Sequence, residues 1–192
     1  MAELEVFYLG GLFAMPSLES EALRRLLQFC REQGVRTVLD VVVPQEHGGM
    51  GMLAPLLPYV DYFVPNDDEA ARLTGMADPV EQIRTFRSHG AHAVAITCGR
   101  QGAVAACGQD VWRSGCYEVD VVDPSGSGDA FTTGLITAVR RGWEMPRLLA
   151  YASALGASAV GAVGCTDGLF SPSEADAFLQ ARPLHVERIT TL

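Results

Sequence analysis

The chain has 192 residues, of which 48% are hydrophobic and 19% charged, with a formal net charge of −9. That is enough chain for one sizeable core, too apolar for a disordered segment, and too acidic for non-specific nucleic-acid binding, which needs a basic face. All 14 basic residues are arginines, which removes a P-loop lysine, a Schiff-base lysine and a lysine general base.

EVFYLGG (5–11) is aromatic and β-branched and is stopped by glycines, which predicts a buried strand. SLESEALRRLLQFCREQG (17–34) puts Leu18, Ala22, Leu23, Leu26, Leu27 and Cys30 on one helical stripe, with Ser17 as N-cap and Gly34 as stop. VRTVLDVVVP (35–44) predicts a second buried strand. A GGMGM loop, a short apolar helix around 52–58 and a strand at VDYFVP (60–65) follow. NDDEAARLTG (66–75) reads as a short helix, and Asp78, Pro79 and Glu81 as the N-cap, N1 and N3 of a capping box on the next. AVAIT (93–97) predicts a strand, and the stretch to Val122 predicts short hairpins. Helices are expected over about 129–142 and 146–163, and Ser171-Pro172-Ser173-Glu174 caps a last one. Strands alternating with helices predict one α/β domain over residues 1–192 with a mostly parallel sheet covered on both faces.

Two stretches bear on location. Cysteines 30, 98, 107, 116 and 165 form no CxxC pair and no zinc spacing, and read as reduced thiols of a cytoplasmic protein. The N-terminal residues lack the pattern of a signal peptide. Residues 148–165 carry no charge, but Ala, Gly and Ser dominate them, which predicts a closely packed buried helix and no membrane span.

The chemistry concentrates in DPSGSGDAF (123–131), an acid-bearing glycine turn that opens a helix. Such a turn gathers unpaired backbone N–H groups at the positive end of the helix dipole and makes an anion site. An acid in the first turn stands where that dipole favours its charge; it repels a resting phosphate and can accept a proton from an attacking hydroxyl. On the turn alone, a simple helix-capping role for Asp129 competes evenly. A dinucleotide fingerprint fails because Phe131 replaces the third glycine, and a P-loop fails without lysine.

With its neighbours the turn is more specific. DPSGSGDAFTTG resembles the D-T-x-G-x-G-D-x-F-x-x-G signature of PfkB-type, ribokinase-like carbohydrate kinases. VPNDDEAARLTG resembles that family's N-x-x-E segment and AITCGRQGAVA its T-x-G-x-x-G segment, all in family order over residues 5–182. The resemblance implies a ribokinase-like three-layer α/β/α sandwich with a Rossmann-like sheet, and ATP-dependent transfer of a phosphoryl group to a sugar-like hydroxyl. It makes Asp129 the base and Gly126, Ser127 and Gly128 the anion hole. It places Thr97, Gly99, Gly102 and Ser153 at ATP, and Asn66 and Glu69 at magnesium and the phosphates, Glu69 through water. Asp123 matches an acid that in some members helps bind a monovalent cation such as potassium; a turn acid is the equal alternative.

The resemblance also implies departures. The family's D-x-N-x-R pattern keeps only Asp40 here, and the matched region begins after the family's first strand, glycine-glycine motif and β-sheet lid. The chain alone is therefore expected to be a poor sugar kinase with an exposed apolar sheet edge prone to self-association. Partners are expected to be ATP and a small sugar-like acceptor, without nucleic acid or membrane. The competing reading is a non-catalytic nucleotide-binding or regulatory remnant.

Overall fold

The computed structural model describes residues 4–15, 18, 20–44 and 49–192. It divides into two compact units: residues 1–97, 104–111 and 191–192, and residues 98–103 and 112–190.

In the first unit, strands β1 (Val6–Leu9), β2 (Arg36–Leu39), β3 (Tyr62–Phe63) and β4 (Ala93–Thr97) lie side by side in parallel, with Val38 opposite Tyr62 and Phe63 opposite Val94. Thr37, Val38 and Leu39 are consecutive and all fully buried, so both faces of β2 are covered, and Ala93–Ile96 repeat this in β4. The first strand departs from expectation. Its residues are half-buried and Tyr8 is 38% exposed, because β1 pairs only with β2 among the described residues.

Helix α1 (Ser20–Glu32) buries Leu23, Leu27 and Cys30, but Ala22 is exposed and Leu26 is 42% exposed, so its stripe is narrower than its periodicity predicts. The expected cap at Ser17 lies outside the described residues, as does the start of the GGMGM loop. The expected helix at 52–58 is instead a run of turns between two short 3-10 segments, Gly49–Gly51 and Leu57–Tyr59. Pro55 and Pro58 lack the N–H groups that a regular helix needs. Helix α2 (Asp67–Thr74) ends at Gly75 in the left-handed conformation. Asp78 caps α3 (Pro79–Ser88) by accepting from the amides of Val80 and Glu81. Glu81 pairs with Arg84, so the predicted reciprocal bond of a capping box is replaced by an i,i+3 ion pair.

Strand β5 (Ala103–Cys107) follows β4 through the expected turn at CGRQG (98–102) and turns at the expected CGQD (107–110) into β6 (Asp110–Ser114). Residues 115–126 form no strand, and Val121 and Val122 are exposed. In the second unit, α4 (Ser127–Arg140) packs along α5 (Met145–Ala159). The pair explains the uncharged Ala/Gly/Ser stretch. A Cβ on Gly134 would lie 2.7 Å from the Cα of Ala152, and one on Gly156 3.2 Å from the Ser127 carbonyl, so the helices approach at a distance only glycine permits. No helix among the described residues is long and apolar enough to cross a membrane. Helix α6 (Pro172–Ala181) has the predicted Ser171–Glu174 capping box. The sequence reading missed β7 (Val186–Thr191), whose Val-x-x-Ile-Thr-Thr run was a readable β-branched signal.

Candidate active site

The acid-bearing turn is built in the second unit. Gly126 adopts a left-handed conformation (φ 76°) as the N-cap of α4, and a Cβ there would fall 2.8 Å from the Cα of Cys165. The first i→i−4 bond of the helix runs from the Ala130 amide to the Gly126 carbonyl. The amides of Gly128 and Asp129 precede it and point out of the helix end. No side chain caps this end, nothing lies within 4 Å of a Cβ built on Gly128, and Asp129 is exposed in the first turn. The turn thus offers donors, open space and a carboxylate together.

Asp123 stands at the entry to the same turn. Its carboxylate accepts from the amides of Ser125 at 2.9 Å and Gly164 at 3.0 Å, and these bonds, Gly164's first, hold its pKa below the ordinary 3.8. The amides of Val122 and Asp123 both donate to the Val160 carbonyl, so Asp123 ties the turn to the end of α5.

Gly99 and Gly102 flank a 3-10 turn in this unit, with φ of 53° and 85°. Beside Gly99 there is open space, whereas a Cβ on Gly102 would run into the carbonyls of Ser114 and Gly115. Ser153 is half-buried on α5.

The other candidates belong to the first unit. Asn66 caps α2: its side chain accepts from the Glu69 amide at 2.8 Å, and the Glu69 carboxylate accepts from the Asn66 amide at 2.9 Å. Asn66 also bridges to Thr97 at the end of β4, which brings these two predicted residues together. Glu69 is 8% exposed, and burial raises its pKa against the opposing pull of the Asn66 and Val43 amides and of Arg72. Among the described residues no three His, Cys, Asp or Glu side chains gather as a metal cage. The Asn66–Glu69 turn presents one side-chain amide oxygen and one carboxylate, both engaged in the capping box.

Sequence reasoning passed over Arg72, whose guanidinium donates to the Val43 carbonyl at 2.9 Å. In D-x-N-x-R register from Asp40, the two polar positions are Val42, 53% exposed, and Pro44. A cavity of about 380 Å³ lined by Arg31, Tyr59, Asp61, Arg87 and His92 lies at the opposite, amino-terminal ends of β3 and β4. There α1 and α3 end, and Arg31 and Arg87 are engaged with backbone carbonyls.

The chain is 28% identical over 144 residues to an ATP-dependent 6-phosphofructokinase of Thermoanaerobacterium thermosaccharolyticum, covering 72% of this chain and 45% of that protein. It is 28% identical over 196 residues to the aminoimidazole riboside kinase of Salmonella typhimurium, covering 95% and 60%. Among solved structures, aminoimidazole riboside kinase from Salmonella enterica, complexed with aminoimidazole riboside and an ATP analog, superposes with a TM-score of 0.79 at 26% identity, covering 91% of this chain and 62% of that one. An Escherichia coli Ribokinase II structure in complex with ATP and Mg2+ gives 0.80 at 25% identity, covering 93% and 59%. The chain thus spans about half the length of the curated relatives it matches. The model of the pfkB family of carbohydrate kinases matches residues 1–172, and with the ribokinase-like fold of its neighbours this places the chain in that family.

Proposed function

We propose that this chain carries the nucleotide-binding and catalytic portion of an ATP-dependent kinase acting on a hydroxyl of a sugar-like molecule. The observation that carries the reading is the turn at 126–129: outward amides, open space over Gly128 and an exposed carboxylate in the first helical turn. Phosphoryl transfer is mainly positioning and electrostatics. In this reading the amides of the turn take the oxygens of the transferred phosphoryl group. Asp129 accepts the acceptor hydroxyl's proton as that oxygen attacks phosphorus and the bond to the leaving ADP breaks. Thr97, Gly99, Gly102 and Ser153 are the proposed nucleotide contacts. Asn66 holds, and Glu69 acts through water on, the magnesium that would arrive with ATP and neutralise phosphate charge. The ATP and Mg2+ of the Escherichia coli structure support both ligands. A potassium site at Asp123 is the weaker element, since two amides already occupy that carboxylate.

The exposed Val42 and Pro44, where polar acceptor contacts were expected, favour a second reading: a nucleotide-binding remnant without turnover. The two separate in an assay of ADP release from ATP and Mg2+ across a panel of sugars and nucleosides. Acceptor-dependent release that disappears in Asp129→Asn supports the kinase. Nucleotide binding with no acceptor-dependent release supports the remnant.

A further inference from the structure

We propose that Ser158 is a positioning residue that folds the connection between α5 and α6, residues 160–170, back against the turn at 126–129, so that the connection forms a fixed wall of that turn. What the wall serves rests on the reading of the turn as a phosphate site; the latch itself stands on hydrogen bonds and packing.

Ser158 is the penultimate residue of α5 and is buried. Its Oγ donates to the Leu155 carbonyl at 2.8 Å and accepts from the Phe170 amide at 3.2 Å. With its one proton committed inside the helix, the hydroxyl meets Phe170 only as an acceptor. The returning chain also packs on the same residue, since a Cβ on Gly168 would come within 2.5 Å of the Ser158 carbonyl oxygen. Phe170 then packs against the buried cluster that includes Tyr151, Leu155 and Ala175. The connection is thus closed on α5 at its far end. At its near end the Val160 carbonyl accepts from the Val122 and Asp123 amides, and the Gly164 amide donates to the Asp123 carboxylate at 3.0 Å. Between the Gly164 and Phe170 ties, the backbone of Cys165 lies against Gly126: a Cβ on Gly126 would fall 2.8 Å from the Cys165 Cα and 3.0 Å from its carbonyl oxygen. Cys165 therefore restrains the left-handed residue that opens α4. Alanine would suit the helix better than serine on intrinsic grounds. The serine's bond to Phe170 leaves the helix and holds the wall.

The test is residue-resolved amide exchange and Mg·ATP titration on the whole chain with Ser158→Ala and Gly168→Ala. Gly134→Ala serves as control, because it strains α4 against α5 at Ala152, away from the connection. Loss of the hydroxyl should speed exchange of the Phe170 amide by about tenfold and carry the Gly164 amide with it, while the α5 amides before Leu155 keep their protection. Gly168→Ala should loosen Gly164 in the same way by pushing the chain off the Ser158 carbonyl. An unchanged Phe170 amide in Ser158→Ala, an unchanged Gly164 amide in both connection variants, or an equal rise throughout α5 overturns the proposal. Mg·ATP should bind the two connection variants about threefold to tenfold more weakly than the parent. Gly134→Ala, compared at a temperature equally far below its own unfolding midpoint, should stay within about twofold of the parent. Equal weakening in the control overturns the positioning role. No binding of Mg·ATP to the unsubstituted chain counts against the phosphate reading, and the exchange result then decides the latch alone.

Discussion

Asp129 and Asp123 lie six residues apart and do different work. Asp129 is exposed in the first turn of α4, and Asp129→Asn keeps the shape while removing the proposed proton acceptor. The expected result is a loss of about a hundred- to ten-thousand-fold in kcat for any acceptor turned over, with nucleotide affinity retained. Near-full turnover by the variant would remove Asp129 from the role of base. Asp123 is engaged by the Gly164 and Ser125 amides, which depress its pKa from 3.8. A carboxylate held lower in the folded chain than in the unfolded one contributes stability that is fully present above 3.8 and is lost as pH falls through the depressed value. Asp123→Asn should therefore lower the melting temperature at pH 7, and the difference from the parent should shrink below that range. A difference that stays constant from pH 7 down through acid unfolding would show that the charge of Asp123 adds nothing. Potassium titration of both forms reads the cation role separately.

Helix α4 sets two glycines against each other. Gly134 sits where a Cβ would meet the Ala152 backbone, whereas Gly128 faces open space. Gly134→Ala should destabilise by about 1–3 kcal/mol through overpacking, against the roughly 1 kcal/mol that alanine's helix propensity returns. Gly128→Ala should be neutral or stabilising. Denaturation followed by the fluorescence of Trp143, whose ring lies 5.3 Å from that of Tyr151 on α5, reports on this packing. Equal effects at the two positions would contradict it. These elements were largely legible in the sequence. Asn66, Asp78 and Ser171 declare their helix starts through local hydrogen-bonding chemistry, and the small residues of α5 announce close contact. What was not legible depended on tertiary context. Nothing local exposes Leu26, shortens the strand around Tyr62 to two residues, or sends Arg72 to the Val43 carbonyl. Within the candidate site the glycines and Asp129 could be read from spacing, while the engagement of Asp123 by the distant Gly164 amide could not.

At the scale of the molecule, the first unit ends at β1, and apolar side chains stand exposed there and on α1: Leu4 at 54%, Tyr8 at 38%, Leu26 at 42% and Phe29 at 44%. Among the described residues β1 pairs on one side only, and an edge strand with such neighbours is a template for pairing with another chain. The chain by itself should self-associate as its concentration rises, and Leu4→Lys with Tyr8→Lys should reduce this; sedimentation velocity measures both. A monodisperse monomer across that range would contradict the expectation. Whether the proposed turn at 126–129 holds the phosphates of ATP is tested most directly at Gly128, because a side chain there meets nothing in the protein itself. The measurement is a calorimetric titration of Mg·ATP into the chain, into Gly128→Val and into Asp129→Asn, with circular dichroism to verify each fold. The expected result is binding to the parent, equal or tighter binding to Asp129→Asn because a negative charge beside the phosphates is gone, and loss of binding to a folded Gly128→Val. Undiminished binding to Gly128→Val, or no binding to the parent, would contradict it.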